Sequence, residues 1–335
     1  MQRNEGRPLV TSPDHAEATL APSPKFRHPD WTAKGERRAS VPLLGLDTLW
    51  LNTGSLCNIT CRSCYIESSP TNDRLAYLSA AEVAPLLDEA QRLGTREIGF
   101  TGGEPFLNHE LPAMLSDALA RGFEVLLLTN AMLPMQRPGV KQHLLALQAA
   151  HPGRMTMRVS VDHHTRELHE AERGAGSWAR TVDGIDWLLA HGFAVAIAGR
   201  SCWGESEPDA RAGYARLFAA RGWSLAAASL SQLVIFPEMD GRHDVPELTT
   251  ACWGILHKEP RDLMCSTSRM VVKRQGAARP VVVPCTLLPY EPAFEMGATL
   301  AESAVAHGGM FDHGAVKMCH PHCAKFCMLG GGSCS

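Results

Sequence analysis

The stretch that decides this chain is L-C-N-I-T-C-R-S-C-Y, Leu56–Tyr65, followed one βα unit later by T-G-G-E-P at Thr101–Pro105. Cys57, Cys61 and Cys64 form a C-x-x-x-C-x-x-C loop. Three thiolates from one tight loop hold three irons of a four-iron cluster, which leaves one iron open to bind a small molecule. The ligand chemistry of the loop alone fits equally well a structural zinc site completed by a distant fourth ligand.

The surroundings separate these two readings. The cysteine loop follows an apolar run, Leu46 to Leu51, and G-G-E-P follows a second, Glu97 to Phe100. Both motifs therefore fall at strand C-termini, where α/β barrels build their active sites. With both motifs in this order, the sequence resembles the radical S-adenosylmethionine (SAM) superfamily. The resemblance implies a [4Fe-4S] cluster on Cys57, Cys61 and Cys64 and bound S-adenosylmethionine. It also implies reductive cleavage to a 5′-deoxyadenosyl radical that abstracts hydrogen from a substrate.

Composition agrees with a soluble globular protein. The 335 residues are 45% hydrophobic and 20% charged, and the net charge of −3 argues against a general nucleic-acid or membrane surface. No apolar run reaches membrane-spanning length, and M-Q-R-N-E-G-R-P lacks the apolar core of a signal peptide, so a cytoplasmic location is expected. The 11 cysteines fall into two groups, at Cys57–Cys64 and from Cys252 onward, with Cys202 outside both. Clustering of this kind in a chain of this size points to metal rather than disulfides.

Residues 1 to about 45 are rich in proline and charge without a period, and read as a flexible or loosely docked arm. Ser79-Ala-Ala-Glu82 is a capping box that starts a helix to about Leu93, ended by Gly94. Strands are then expected at 97–101, 124–129, 155–161, 193–199 and 229–236, and helices at 110–121, 139–150, 177–191 and 209–221. With the first strand this makes six βα-type strands in a parallel, partly open barrel. The resemblance implies the same fold: an α/β chain with a partial (β/α)6 TIM-like radical SAM barrel at 46–240 and a small Cys-rich auxiliary Fe–S domain at 241–335.

The period of two indicates what the lumen holds. Phe193, Val195 and Ile197 share one face of their strand, and Ala194, Ala196, Ala198 and Arg200 the other. If Met155, Met157, Val159 and Val161 face the helices, Ser160 and Asp162 turn inward, and Thr129 and Asn130 end a strand in the same layer. An alanine-lined wall ending in arginine leaves space for a ligand with an anionic group and offers a radical no weak O–H or S–H bond. The resemblance assigns Gly102, Gly103, Glu104 and Pro105 to the SAM amino group. It makes Thr129, Asn130, Ser160, Asp162 and Arg200 candidates for the SAM carboxylate and ribose, and Tyr65 a candidate for stacking near the adenine. No catalytic acid or base is assigned; His163, His164, Glu238 and Asp240 follow strand ends and are open both to substrate and to solvent.

Cys265 leads a run that reads as a β-hairpin ending at Cys285, with Gly276 near its turn, and the chain closes on C-H-P-H-C-A-K-F-C-M-L-G-G-G-S-C. This resembles the auxiliary-cluster domains of the SPASM and Twitch subgroups of radical SAM enzymes. Cys265, Cys285, Cys319, Cys323, Cys327 and Cys334 give six thiols, enough for one four-cysteine cluster with two left over. Cys252 and His320 or His322 are candidates toward a second. At least one auxiliary [4Fe-4S] cluster is therefore expected. The tail spacing C-x-x-x-C-x-x-x-C departs from the usual SPASM pattern, and a zinc knuckle is the competing reading.

These features together describe a radical SAM oxidoreductase or maturase acting oxidatively on a peptide or protein side chain. The electron donor would be a flavodoxin or ferredoxin, with no nucleic-acid or membrane partner. A radical SAM dehydrogenase or other enzyme acting on a small molecule is the alternative, followed by a non-catalytic zinc-binding interaction protein.

Overall fold

A computed structural model describes residues 25–237 and 244–330. Its strands are β1 (Ser40–Val41), β2 (Thr48–Asn52), β3 (Glu97–Thr101), β4 (Glu124–Thr129), β5 (Met155–Ser160), β6 (Ala194–Ser201), β7 (Leu233–Pro237), β8 (Ser268–Val272), β9 (Val281–Val283), β10 (Phe311–Asp312) and β11 (Ala315–Lys317). One sheet runs β7-β6-β5-β4-β3-β2-β8-β9, parallel from β7 through β8, and only β9 is antiparallel. The six strands β2–β7 are the six expected, each joined to the next through helix.

Alternation along each strand divides lumen from shell. Ile98 and Phe100 pack under the helices with Met155, Met157 and Val159, and Val195 and Ile197 join the same core. The opposite face closes on itself: the Trp50 indole lies over Gly99, where a Cβ would come within 2.4 Å of the ring. An aromatic of that size inside the barrel requires a residue with no side chain beside it.

Local signals place most helix ends. Ser79 and Glu82 form the capping box, with Glu82 N donating to Ser79 Oγ (3.2 Å) and Ser79 N to Glu82 Oε2 (3.0 Å), and the helix runs Ala80–Arg92. The expected strand 229–236 is observed only at Leu233–Pro237, because a turn occupies its first part, with Leu233 N bonded to Ser229 O at 2.9 Å. Helix Arg166–Arg173 has no counterpart in the sequence reading. Its buried residues are His169 and Glu172, so its inward face is polar and it carries no apolar period.

The C-terminal hairpin forms as expected, with Gly276 in its turn at φ 78°, and β8 pairs in parallel with β2. The auxiliary region thus extends the barrel sheet at its free edge. Of residues 1–45, expected as an arm, 1–24 lie outside the described residues and 25–45 are held fast. Strand β1 pairs with β11, and Arg38 lies inside, donating to Glu247 (2.6 Å) and to the carbonyls of His28, Trp31 and Met318. Composition alone hides this, since an interior ion pair and a solvated charge read alike in sequence.

Among the described residues no helix is long and apolar enough to cross a membrane.

The Arg38–Glu247 pair has side chains only 1% and 6% exposed. Replacing Arg38 by methionine strands a buried carboxylate and is expected to cost about 3–5 kcal/mol, read as a lowered denaturation midpoint. Its hydrogen bonds, with Arg38 and with the backbone N–H groups of Ala33 and Phe26, hold the Glu247 carboxyl below its ordinary range. A depressed carboxylate stabilises above its unfolded pKa, so this contribution disappears as pH falls through the acid range. Wild-type stability should drop more steeply on acidification than that of Arg38→Met/Glu247→Leu.

Candidate active site and auxiliary metal centre

The cysteine loop leaves β2 at Asn52, whose Oδ1 accepts Gly54 N at 3.0 Å. Cys57 N donates to Ser69 O (3.0 Å) and Ser68 N to the Cys64 sulfur (3.3 Å), so the loop closes back on the segment that follows it. T-G-G-E-P then docks onto this loop. Gly103 N donates to Gly54 O (2.8 Å) and Glu104 N to Leu56 O (3.0 Å). Gly102 sits at φ 144°, and a Cβ on Gly103 would lie 2.1 Å from Leu56 O. Both glycines are required by this backbone-to-backbone approach.

Glu104 ties this assembly to the neighbouring strand. Its Oε1 accepts Thr129 Oγ1 (2.8 Å) and Phe106 N (3.3 Å), and its Oε2 accepts Asn130 N (2.9 Å). Asn130 Nδ2 in turn donates to Asn58 Oδ1 at 2.8 Å, inside the cysteine loop. Burial pushes the Glu104 carboxyl up to about 7, against the downward pull of these donors.

Cys57, Cys61 and Cys64 border a single cavity of about 1170 Å³, including its open mouth. Gly102, Gly103, Thr129, Asn130, Ser160, Asp162, Arg200 and Tyr65 border it too, so the structure brings these sequence-derived residues together. Glu104 reaches it through Thr129 and Asn130, while Pro105 is buried as the first residue of a 3₁₀ turn. Two of the polar candidates have other tasks. Asp162 accepts Arg173 Nε (2.5 Å) and Nη2 (3.0 Å), and Arg200 Nη1 donates to Ser63 O (2.7 Å). The lumen is not wholly apolar, because Arg158, 5% exposed, borders the cavity with Trp50 and Leu128.

Glu172 and Arg173 escape the sequence reading, since they lie on the helix that has no apolar period. Glu172 Oε1 accepts Ser63 N (2.7 Å) and Ser63 Oγ (2.6 Å), and its carbonyl accepts Arg62 N (3.0 Å). With Arg200, this clasps the peptide between Cys61 and Cys64 from both sides. The only signal in sequence is an acidic–basic pair closing a charged segment after a strand. His163 and His164 turn away from the cavity: His163 Nδ1 accepts Thr165 N, and the Nε2 atoms of both rings lie 2.9 and 3.3 Å from Glu205. Glu238 and Asp240 lie outside the described residues.

The donor set fits a [4Fe-4S] cluster, with three thiols and a backbone N–H aimed at the Cys64 sulfur. Burial raises Cys57 to about 12 and Cys61 to about 11, so binding metal must release protons there.

A second cavity, of about 520 Å³, is bordered by Cys265, Cys285, Cys323 and Cys327 together with His322. Cys323 and Cys327 lie on a π-helix, Cys323–Leu329, where residues four apart fall close to one face. His322 Nδ1 donates to Leu287 O at 3.1 Å. Burial raises Cys265 to about 11 and Cys323 to about 12, and the buried Arg269 beside Cys265 opposes that rise. Four converging thiols match the ligand count of one [4Fe-4S] cluster. Cys319 does not border this cavity; its sulfur lies against Phe26 O (3.3 Å) and His28 O (3.5 Å). Cys252 accepts Thr249 N at 3.4 Å, and Cys334 lies outside the described residues. Leu287 borders both cavities, and Thr286 and Phe326, next to Cys285 and Cys327, form wall of the first.

A family model described as the radical SAM superfamily matches residues 51–206. The antilisterial bacteriocin subtilosin biosynthesis protein AlbA of Bacillus subtilis is 29% identical over 143 residues, covering 42% of this chain and 30% of that protein. The mycofactocin maturase MftC of Mycobacterium ulcerans is 31% identical over 140 residues, covering 42% of this chain and 36% of that protein. The chain thus spans about a third of the length of these relatives. In fold it is similar to Streptococcus suis SuiB bound to S-adenosylmethionine, with a TM-score of 0.57 and 13% identity, covering 78% of this chain and 66% of that one. A structure of SuiB with its precursor peptide SuiA aligns with a TM-score of 0.56, 13% identity and coverage of 76% and 62%. With the cysteine loop, the G-G-E-P segment and the six-stranded parallel barrel in place, residues 51–206 match a radical SAM domain, and a cysteine-rich region follows them toward the C-terminal end.

Proposed function

We propose that this chain is a radical SAM maturase that oxidatively modifies a peptide or protein side chain, with one auxiliary [4Fe-4S] cluster on Cys265, Cys285, Cys323 and Cys327. The observation that carries this reading is the shared wall. Leu287 borders both the four-thiol cavity and the first cavity, and Thr286 and Phe326, each next in sequence to one of the cysteines Cys285 and Cys327, line the first. An oxidation needs a nearby acceptor for the electron left on substrate after hydrogen abstraction, and an auxiliary cluster behind that wall is such an acceptor. The names of AlbA and MftC, and the SuiA peptide in the SuiB structure, support a peptide substrate.

The cluster on Cys57, Cys61 and Cys64 together with S-adenosylmethionine would supply the radical that abstracts hydrogen; the protein supplies everything around it. Glu104 fixes Thr129 and Asn130 at the cavity edge, Gly102 and Gly103 hold that edge against the cysteine loop, and Ser160 presents a hydroxyl. Trp50, Leu128, Ala198 and Phe236 wall the cavity with C–H bonds stronger than a thiol S–H, limiting stray quenching. Tyr65 lies at the mouth, 37% exposed, where an aromatic face is available to an adenine.

Anaerobic reconstitution should load about eight irons per chain, and reduced protein should release 5′-deoxyadenosine. Cys57→Ala, Cys61→Ala and Cys64→Ala should abolish that release. Cys265→Ala and Cys327→Ala should lose about four irons and product while retaining some cleavage. Cys319→Ala should keep both clusters. About four irons with full activity would remove the auxiliary cluster, and zinc in place of iron would remove the whole proposal. Incubation with peptides encoded beside the gene, followed by mass spectrometry, tests the substrate: a peptide lighter by two hydrogens supports it, and turnover of only a small metabolite overturns it.

Glu104 gives a pH signature. Its carboxyl, raised to about 7, binds a proton more tightly folded than unfolded, so the contribution of Glu104 to stability is greatest below the ordinary carboxylate range and is lost as pH rises to about 7. The ionised form is the one that can receive a ligand ammonium. Equilibrium dialysis of S-adenosylmethionine should therefore show affinity increasing as pH rises through about 7, whereas Glu104→Gln should bind about tenfold or more weakly with a flat profile.

A further inference from the structure

The segment 66–75 runs from the cysteine loop to the C-terminal hairpin, and its two ends are held differently. At the far end the backbone pairs with the hairpin: Ala76 N donates to Lys273 O (2.7 Å) and Gln275 N to Arg74 O (2.9 Å). At the near end a side chain from the auxiliary region reaches in. Tyr290 Oη donates to Ile66 O (2.8 Å) and accepts Asn72 Nδ2 (3.3 Å), which also donates to Glu67 O (2.8 Å). The Arg74 guanidinium lies over the Tyr290 ring, 3.7 Å from its centre, and is paired with Glu67. These contacts surround a tight turn. Glu67 N donates to Cys64 O (2.9 Å), and Glu67 sits at φ 51°, a left-handed conformation that a residue with a side chain keeps only when its surroundings hold it.

The turn shapes the edge of the first cavity. Tyr65, Ile66 and Ser68 border that cavity, and Ser68 N is aimed at the Cys64 sulfur (3.3 Å). Tyr290 follows Cys285 and Leu287, which border the second cavity. A short stretch of chain therefore joins a thiol of one site to a hydrogen bond that shapes the other. We propose that Tyr290 is a positioning residue through which an iron–sulfur cluster in the second cavity tightens S-adenosylmethionine binding in the first. This rests on the radical SAM reading of the cysteine loop and on the auxiliary cluster proposed for Cys265, Cys285, Cys323 and Cys327. A metal bond to Cys285 restricts the chain from there to Tyr290, and the hydroxyl passes that restriction to Ile66. Less freedom is then lost when the cosubstrate settles against Tyr65 and the cysteine loop. The coupling is reciprocal, so S-adenosylmethionine in the first cavity stabilises the cluster in the second by the same free energy.

The test is equilibrium dialysis of S-adenosylmethionine against unreduced, reconstituted full-length protein, with iron counted in each sample. Wild type is compared with Tyr290→Phe, Cys327→Ala and the double variant Tyr290→Phe/Cys327→Ala. Phenylalanine keeps the ring under Arg74 and removes only the hydroxyl, while loss of Cys327 prevents the auxiliary cluster without touching Tyr290. Each single change should weaken binding about fivefold, the size expected of one net hydrogen bond and of a modest coupling. The double variant should bind no more weakly than either single one. Effects that multiply in the double variant overturn the proposal, because Tyr290 then acts independently of the second cavity. An unchanged dissociation constant in either single variant also overturns it, leaving Tyr290 a support of the fold alone. If Tyr290→Phe fails to fold, wild type decides: S-adenosylmethionine should protect the auxiliary cluster against a chelator, and no protection overturns the coupling. The cluster is followed there by the electron paramagnetic resonance signal, after reduction of samples, that S-adenosylmethionine leaves unchanged. Wild type that holds about eight irons yet shows no Tyr290 effect refutes this proposal alone, whereas about four irons refutes the auxiliary cluster as well.

Discussion

The site depends on two backbone hydrogen bonds, Gly103 N to Gly54 O and Glu104 N to Leu56 O. They bring the loop after β3 onto the loop after β2 closely enough that one cavity is bordered by the cysteines and by the G-G-E-P segment together. Any side chain at position 103 would meet the Leu56 carbonyl, so the contact exists only because this residue is glycine. Once it forms, Glu104 is buried and must find donors. It takes them from Thr129 and Asn130 at the end of β4, which carries the same constraint one strand further around the barrel.

A second layer of charge surrounds that contact. Glu172, Arg173, Asp162 and Arg200 are all largely buried, and each spends its hydrogen bonds on the cysteine loop or on another of the four. Buried charges of this kind are costly unless they are paired, and their pairing here holds Ser63 between Cys61 and Cys64 from both sides. The loop that would carry a metal cluster is therefore shaped by the protein before any metal arrives. Burial keeps the Cys57 and Cys61 thiols protonated, so assembly of a cluster is coupled to proton release there.

The C-terminal region is built into the barrel rather than hung from it. Strand β8 continues the parallel sheet beside β2, β9 turns back, and the π-helix Cys323–Leu329 brings two thiols to those that flank the hairpin. Residues 25–45 close the far side through β1 and the Arg38–Glu247 pair. Leu287 borders both the four-thiol cavity and the first cavity.

Local chemistry was legible in the sequence. Period-two alternation separated Phe193, Val195 and Ile197, which pack in the core, from Ala198 and Arg200, which border the cavity. The Ser79–Glu82 box and the glycines after helices marked element ends, and the cysteine spacing with G-G-E-P marked the radical SAM domain. Each of these follows from residues near one another in the chain. Tertiary structure alone decided which long-range partners the charged residues take. It gave Asp162 to Arg173 and Arg200 to Ser63, turned His163 and His164 toward Glu205, buried Arg38, and chose Cys265, Cys285, Cys323 and Cys327 over Cys319 for the second cavity. The reason is physical: a buried charge or thiol leaves no periodic trace, because its burial depends on a partner tens or hundreds of residues away and not on the pattern around it.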